Sequence, residues 1–231
     1  MSLQGIKIIF EDNHILIVNK PAGMLSQKDK TNDNSILEIL KDYIKEKYNK
    51  PGNVFLGSVH RLDRPASGLM VFAKTSKALT RLTTALRNEE FEKKYLAVVE
   101  KSKTNQAETL VHYLLKDEEK NIVRAYDTEV KGSKLAKLSY KYIGTVDGLS
   151  ILEIKLYTGR SHQIRSQLKS SIAPICGDLK YGAKINTGNF VIYLHAYKLG
   201  LIHPVTKTYI EFEELPPFED PIWSKFKIFF K

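Results

Sequence analysis

Two stretches of the sequence gather more ionisable and hydrogen-bonding groups than a strand and its turn require. They are HRLDRPASG, residues 60–68, and YTGRSHQIRSQL, residues 157–168. The first lies between the apolar runs VFLGSV and LMVFA. His60, Arg61, Asp63, Arg64 and Ser67 at such a place are costly unless they are exposed or used. Asp63 has two readings: a carboxylate capping amides of a surface turn, or a base or nucleophile. In the second stretch Arg160 lies in a turn, and His162 and Arg165 sit three apart on one face of the helix that follows. A helix start beside arginines favours anions. The alternative is a surface helix with solvated charges, Gln163 and Gln167 forming a polar stripe.

Other chemistries lack their residues. The chain has no Walker loop, no GxGxxG and no HExxH. Its single cysteine, Cys176, excludes an internal disulfide and a cysteine-held zinc, and suits a reducing cytoplasm. A lone thiol of this kind reads as a small buried apolar group. The six histidines have no ligand-like spacing, so no metal is expected. Ser67 stands in an SG dipeptide but not in a GxSxG elbow. No second carboxylate marks itself as a partner for Asp63, which counts against a glycoside hydrolase with paired acids.

A net charge of +10 and a pI of about 9.4 favour a polyanionic partner, nucleic acid being the commonest, although abundant lysine alone can produce such a balance. No apolar run approaches the roughly 20 residues that cross a bilayer. The opening MSLQGIKIIFEDNHILIV reads as folded structure, not as a signal peptide.

The elements that must position these residues follow from periodicity. IKIIFEDNHILIVNKPAG predicts two short strands around a polar turn, closed by Pro21 and Gly23. Ser35 and Glu38 form a capping box for a helix carrying Leu37, Leu40 and Ile44, which runs to Tyr48 and stops before Pro51 and Gly52. VFLGSVHRLDRPASGLMVFAKT predicts strand, polar turn and strand. A helix follows from about Ser76 to Asn88, with Leu79, Leu82 and Leu86 on its apolar face. KKYLAVVE, AETLVHYLL, AKLSYKYIGT and LSILEIKLYT read as strands, the last with Leu149, Ile151, Ile154 and Leu156 in the core. Ser161 is a candidate cap for the helix carrying His162, Ile164, Arg165 and Leu168. YLHAYKLGLIHP and KTYIEFEE complete the strands, and a Pro-rich tail packs Trp223 and several Phe on the domain. Strands outnumber helices and short turns join them. The expected class is α+β with a large mixed, mostly antiparallel sheet flanked by helices.

HRLDRPASG resembles the HRLD-x-x-[T/A]-S-G motif of the RluA-type pseudouridine synthases, and YTGRSHQIRSQL resembles that family's TGR-x-HQIR-x-H motif. NKPAGM, KKYLAVV, PICGDLKYG and LHAYKLGLIHP are similar to further family segments and stand in the family's order, over roughly residues 6–215. Two positions depart from the pattern: Ala66 replaces the usual Thr, and Gln167 replaces the usual His. The resemblance implies a single catalytic domain over residues 1–231 with an active-site cleft, without an N-terminal RNA-binding module. It implies isomerisation of uridine to pseudouridine in ribosomal or transfer RNA, with no cofactor, by a cytoplasmic, monomeric enzyme. It makes Asp63 the essential carboxylate, Arg165 the arginine that pairs with that carboxylate, and Tyr95 the tyrosine at the target base. Arg61, Arg160 and His162 are the candidate RNA contacts.

Overall fold

The first hairpin forms because Asp12 closes its turn: the carboxylate accepts from the amides of His14 and Ile15, each at 2.7 Å. β1 (Lys7–Glu11) and β2 (Ile15–Lys20) flank it, as the alternating pattern predicts. The computed structural model describes residues 3–28, 33–100, 106–188 and 190–230. The chain divides into two compact units, each discontinuous in sequence. Unit 1 is Met1–Glu92 with Ala196–Glu214; unit 2 is Lys93–His195 with Leu215–Lys231.

In unit 1, β4 (Ser67–Ala73) is buried at every position, as a strand covered on both faces must be. It pairs antiparallel with β2 and with the two-residue β3 (Gly57–Ser58), all that forms of the strand expected in VFLGSV. Its other neighbour is β10 (Leu194–Ile202), which carries β11 (Tyr209–Glu213) on its far side. The helices are α1 (Ile36–Lys47) and α2 (Ser76–Arg87). The Ser35–Glu38 capping box opens α1, which buries Ile36, Ile39, Leu40 and Ile44; the expected Leu37 is only half-buried. Leu79, Leu82 and Leu86 of α2 pack on a core of Ile15, Ile17, Leu69, Val71 and Leu199.

In unit 2 five strands follow the order β5–β9–β8–β6–β7. They are β5 (Glu92–Glu100), β6 (Glu108–Asp117), β7 (Ile122–Tyr126), β8 (Lys134–Val146) and β9 (Leu149–Leu156), and all four junctions are antiparallel. β7 went unread in the sequence because IVRAY is short and interrupted by Arg124. Leu149, Ile151, Ile154 and Leu156 are buried as expected. α3 (Gln163–Ser171) covers one face of this sheet. The tail's Trp223 and Phe226 are buried, with Trp223 against the rings of Tyr193 and His195. Cys176 is buried, and burial pushes its thiol up to about 12, as suits an apolar filler. The α+β, mostly antiparallel expectation holds.

Candidate active site

Asp63 sits in unit 1, in the irregular loop between β3 and β4. Local contacts fix that loop on both sides of the carboxylate. Leu62 is buried, and the Ser26 hydroxyl clamps its backbone, donating to the Leu62 carbonyl at 2.6 Å and accepting from its amide at 3.2 Å. The Ala66 amide donates to the Asp63 carbonyl, closing a tight turn. Ala66 itself is buried, so the missing Thr hydroxyl leaves a packed methyl. The Val71 amide donates to Nε2 of His60 at 3.2 Å. Gly68 enters β4 with φ +119, and a Cβ there would lie 2.4 Å from the Ala196 backbone; only glycine fits the close approach of β10.

The NKPAGM segment holds this loop from the other side. Lys20, at the end of β2, is fully buried. Its ammonium donates to the carbonyls of Pro21 and Met24, both at 2.9 Å, and of Arg64 at 3.2 Å. Burial pushes Lys20 down to about 7; the Asp63 charge acts upward against it and the Arg64 charge acts downward. Gly23 donates its amide to the Arg64 carbonyl, and the Arg64 guanidinium grips the Gly23 carbonyl and Asp33. Arg64 is thereby a brace for the loop. Arg61, two residues before Asp63, is exposed.

Tyr95 and Arg165 belong to unit 2. Tyr95 is a buried β5 residue opposite Ile154 of β9. Arg165 is also buried, and its Nε and Nη2 form a two-point pair with Asp178 at 2.7 and 2.8 Å. The Tyr181 ring lies 4.9 Å from the guanidinium carbon. The solvated-helix alternative fails here: Gln163, Ile164, Arg165, Ser166, Gln167 and Leu168 are all buried.

The start of α3 corrects one expectation. Ser161 does not cap it, and His162 stands outside the helix as its N-cap, with no side-chain cap bond. Gln163, the first helical residue, instead ties down the turn that leads into the helix: its Oε1 accepts from the Thr158 hydroxyl and the Arg160 amide. His162 takes φ +47, a strained choice for a non-glycine residue. The Tyr181 hydroxyl accepts from the Val123 amide at 2.9 Å and meets His162 Nδ1 at 2.9 Å. His162 and Arg165 therefore converge on Tyr181, although not from one helix face. Arg160 is exposed and anchors its Nε on the Leu135 carbonyl.

Gln167, where the motif usually has His, is fully buried and donates to the Leu110 carbonyl and to Nδ1 of His112. An imidazole thus reaches this helix from β6 instead. Sequence reasoning missed Lys20, Asp178 and Tyr181. All three lie in segments noted for their likeness to a family, but only contacts distant in sequence reveal what they hold. Among the described residues, no group of three or more His, Cys, Asp or Glu could hold a metal ion. No helix among them is long and apolar enough to cross a membrane.

Known proteins agree with these motifs. The family model described as RNA pseudouridylate synthase matches residues 14–170. The ribosomal large subunit pseudouridine synthase D of Zymomonas mobilis is 32% identical over 222 residues, covering 91% of this chain and 69% of that protein. The tRNA pseudouridine synthase C of Pasteurella multocida is 29% identical over 226 residues, covering 89% of each. Among solved structures, human RNA pseudouridylate synthase domain containing 4 superposes with a TM-score of 0.76 at 20% identity, over 95% of this chain and 90% of that one, a likeness of fold. With a family match over well over half its length and the HRLDRPASG loop intact around Asp63, the chain belongs to the RNA pseudouridylate synthase family.

Proposed function

We propose that this protein isomerises specific uridines of ribosomal or transfer RNA to pseudouridine, as one catalytic domain, in the cytoplasm, as a monomer and without a cofactor. The observation that carries the reading is the braced loop that presents Asp63, within a chain matched along most of its length to RNA pseudouridylate synthases. The reaction breaks the bond between N1 of uracil and C1′ of ribose, turns the base, and joins C5 to C1′. A proton leaves C5 and one is gained at N1, so nothing is oxidised and no energy source is consumed.

In this reading Asp63 attacks C1′ or removes the 2′ proton; either role needs the ionised carboxylate. Tyr95 stacks on the uracil and assists loss of the C5 proton. Arg165 supplies positive charge toward Asp63 while Asp178 keeps its fork from turning. Arg61, Arg160 and His162 contact the RNA; Arg61 and Arg160 are the exposed ones. Extruding a base from its stack costs a few kcal/mol, and phosphate contacts offset that cost.

Pseudouridine mapping of total RNA from cells with and without the gene tests the reading: at least one site should vanish with the gene and return with the wild-type copy. Asp63→Asn should fail to restore it while folding normally. Restoration by Asp63→Asn at a rate within about tenfold of wild type would remove Asp63 from the chemistry.

A further inference from the structure

Successive residues of a strand face opposite sides of its sheet. In β5 Tyr95 faces the side covered by α3, shared with Ile154, Tyr140 and Ala136 by register, and Lys94 faces the other. That other side of unit 2 has an open end. Lys94 stands directly across from Lys155, which stands across from Ser139. Lys137 and Lys141 flank Ser139 on the same face. Lys137, Lys141 and Lys155 are exposed. Like charges directly opposite one another across strands are destabilising; Glu153 lies 4.0 Å from Lys94 within this group.

The cluster also holds an aromatic ring. The ammonium groups of Lys137 and Lys155 lie 5.0 and 5.5 Å from the centre of Tyr157, whose hydroxyl meets Ser139 at 3.3 Å. A concavity of about 440 Å³ opens beside it, with Lys94, Lys141 and Lys155 in its wall together with Glu108 and Glu153. Val111 and Leu135, on the same face by register, are 50% and 47% exposed. At the opposite end of β8 the Phe229 ring covers Gly144, whereas Lys137, Lys141 and Lys155 at the basic end are exposed. Lysines spaced along a strand pair, with a tyrosine between them, match a polyanion that carries flat rings.

We propose that this face is a second RNA-binding surface, on the side of unit 2 opposite Tyr95 and α3, which holds backbone phosphates of the substrate RNA away from the reacting uridine. It rests on the proposed function for the identity of the polyanion, and it extends that reading by locating affinity outside the catalytic residues.

The test compares two double variants with equal change in charge: Lys137→Glu with Lys155→Glu, and Lys45→Glu with Lys77→Glu on exposed helix positions of unit 1. The probes are unmodified transfer RNA and large-subunit ribosomal RNA transcripts. For whichever transcript the wild type modifies, the sheet-face variant should bind at least about tenfold more weakly. Its slope of log affinity against log salt should be shallower by about two, one per lost phosphate contact. Its kcat at saturating RNA should stay within about twofold of wild type, and the unit 1 variant should stay within about threefold in affinity. If thermal melting shows the sheet-face variant misfolded, Lys155→Gln alone should still weaken binding about threefold. Equal losses in both double variants, unchanged binding in the sheet-face variant, or a fall in kcat without a fall in affinity would each overturn the surface. If the wild type makes pseudouridine but the sheet face is indifferent, this inference fails alone. If binding depends on the face but no uridine is isomerised, the proposed function fails instead.

Discussion

Lys20 is an unusual group to find without solvent, and its burial has consequences that can be measured. Its folded value of about 7 lies below the ordinary 10.5, so between those values the unfolded chain binds more protons. Lys20 therefore makes the native state relatively more stable as pH rises through that window. Lys20→Met should flatten that part of the stability profile, read by denaturant titration at several pH values. It should also reduce kcat, because the Pro21, Met24 and Arg64 carbonyls lose their donors and the loop around Asp63 loosens. Asp178→Asn tests the other anchor. It leaves the Arg165 charge buried against a neutral amide, which should cost about 3–5 kcal/mol of stability and appear as a lowered Tm. Arg165→Lys keeps the charge but not the fork that spans both Asp178 oxygens, so turnover should fall far more than RNA affinity. Asp63 and Arg165 stand out in the sequence because each lies in a dense polar motif, whereas Tyr95 is a candidate only through the family resemblance. The sequence hid Asp178 because hydropathy assigns an aspartate to the surface, and nothing local says that an arginine thirteen residues earlier folds onto it.

Capping chemistry was readable at α1, where Ser35 and Glu38 satisfy each other's backbone, and misread at α3, where no side chain caps the helix and Gln163 instead fixes the turn before it. The docking of α1 was not readable at all. Glu11 of β1 gathers Tyr43, Lys47 and Tyr48 from the helix region and Lys74 from beyond β4. Burial works against its charge, but these donors outweigh it and hold the carboxyl at about 2, below the ordinary 4.5. That stabilisation is complete above about 4.5 and is lost as pH falls toward 2. Glu11→Gln should be less stable near neutrality and lose less stability on acidification, as followed by thermal melts. At the strand ends, two glycines separate geometry from strain. Gly148→Ala meets no atom within 4 Å and should cost about 1 kcal/mol for its left-handed backbone. Gly68→Ala meets the Ala196 backbone at 2.4 Å and should cost at least about 3 kcal/mol, with activity falling alongside because β4 begins where the Asp63 loop ends.

At the scale of the molecule, a charge of +10 predicts that RNA affinity falls steeply with salt, by powers of ten if about six or more phosphates are contacted. Filter binding at two salt concentrations checks this, and salt-independent binding would contradict a phosphate-led interaction. Strand count and turn length were enough to read an antiparallel α+β class. They could not show that each unit is built from two separate stretches of chain, because period and polarity are local and the return of β10 beside β4 is not. That return sets an order of events during synthesis. When the ribosome has made residues 1–92, β4 still lacks the strand that Gly68 is shaped to meet, and about a hundred residues must be translated before Ala196 emerges. The nascent first unit lacks that strand for the interval, with the β4 edge and its unpaired backbone N–H and C=O groups exposed to chaperones and proteases. A chain ending at His195 should accordingly be cut rapidly within residues 57–92 by a dilute protease that spares those bonds in the whole protein.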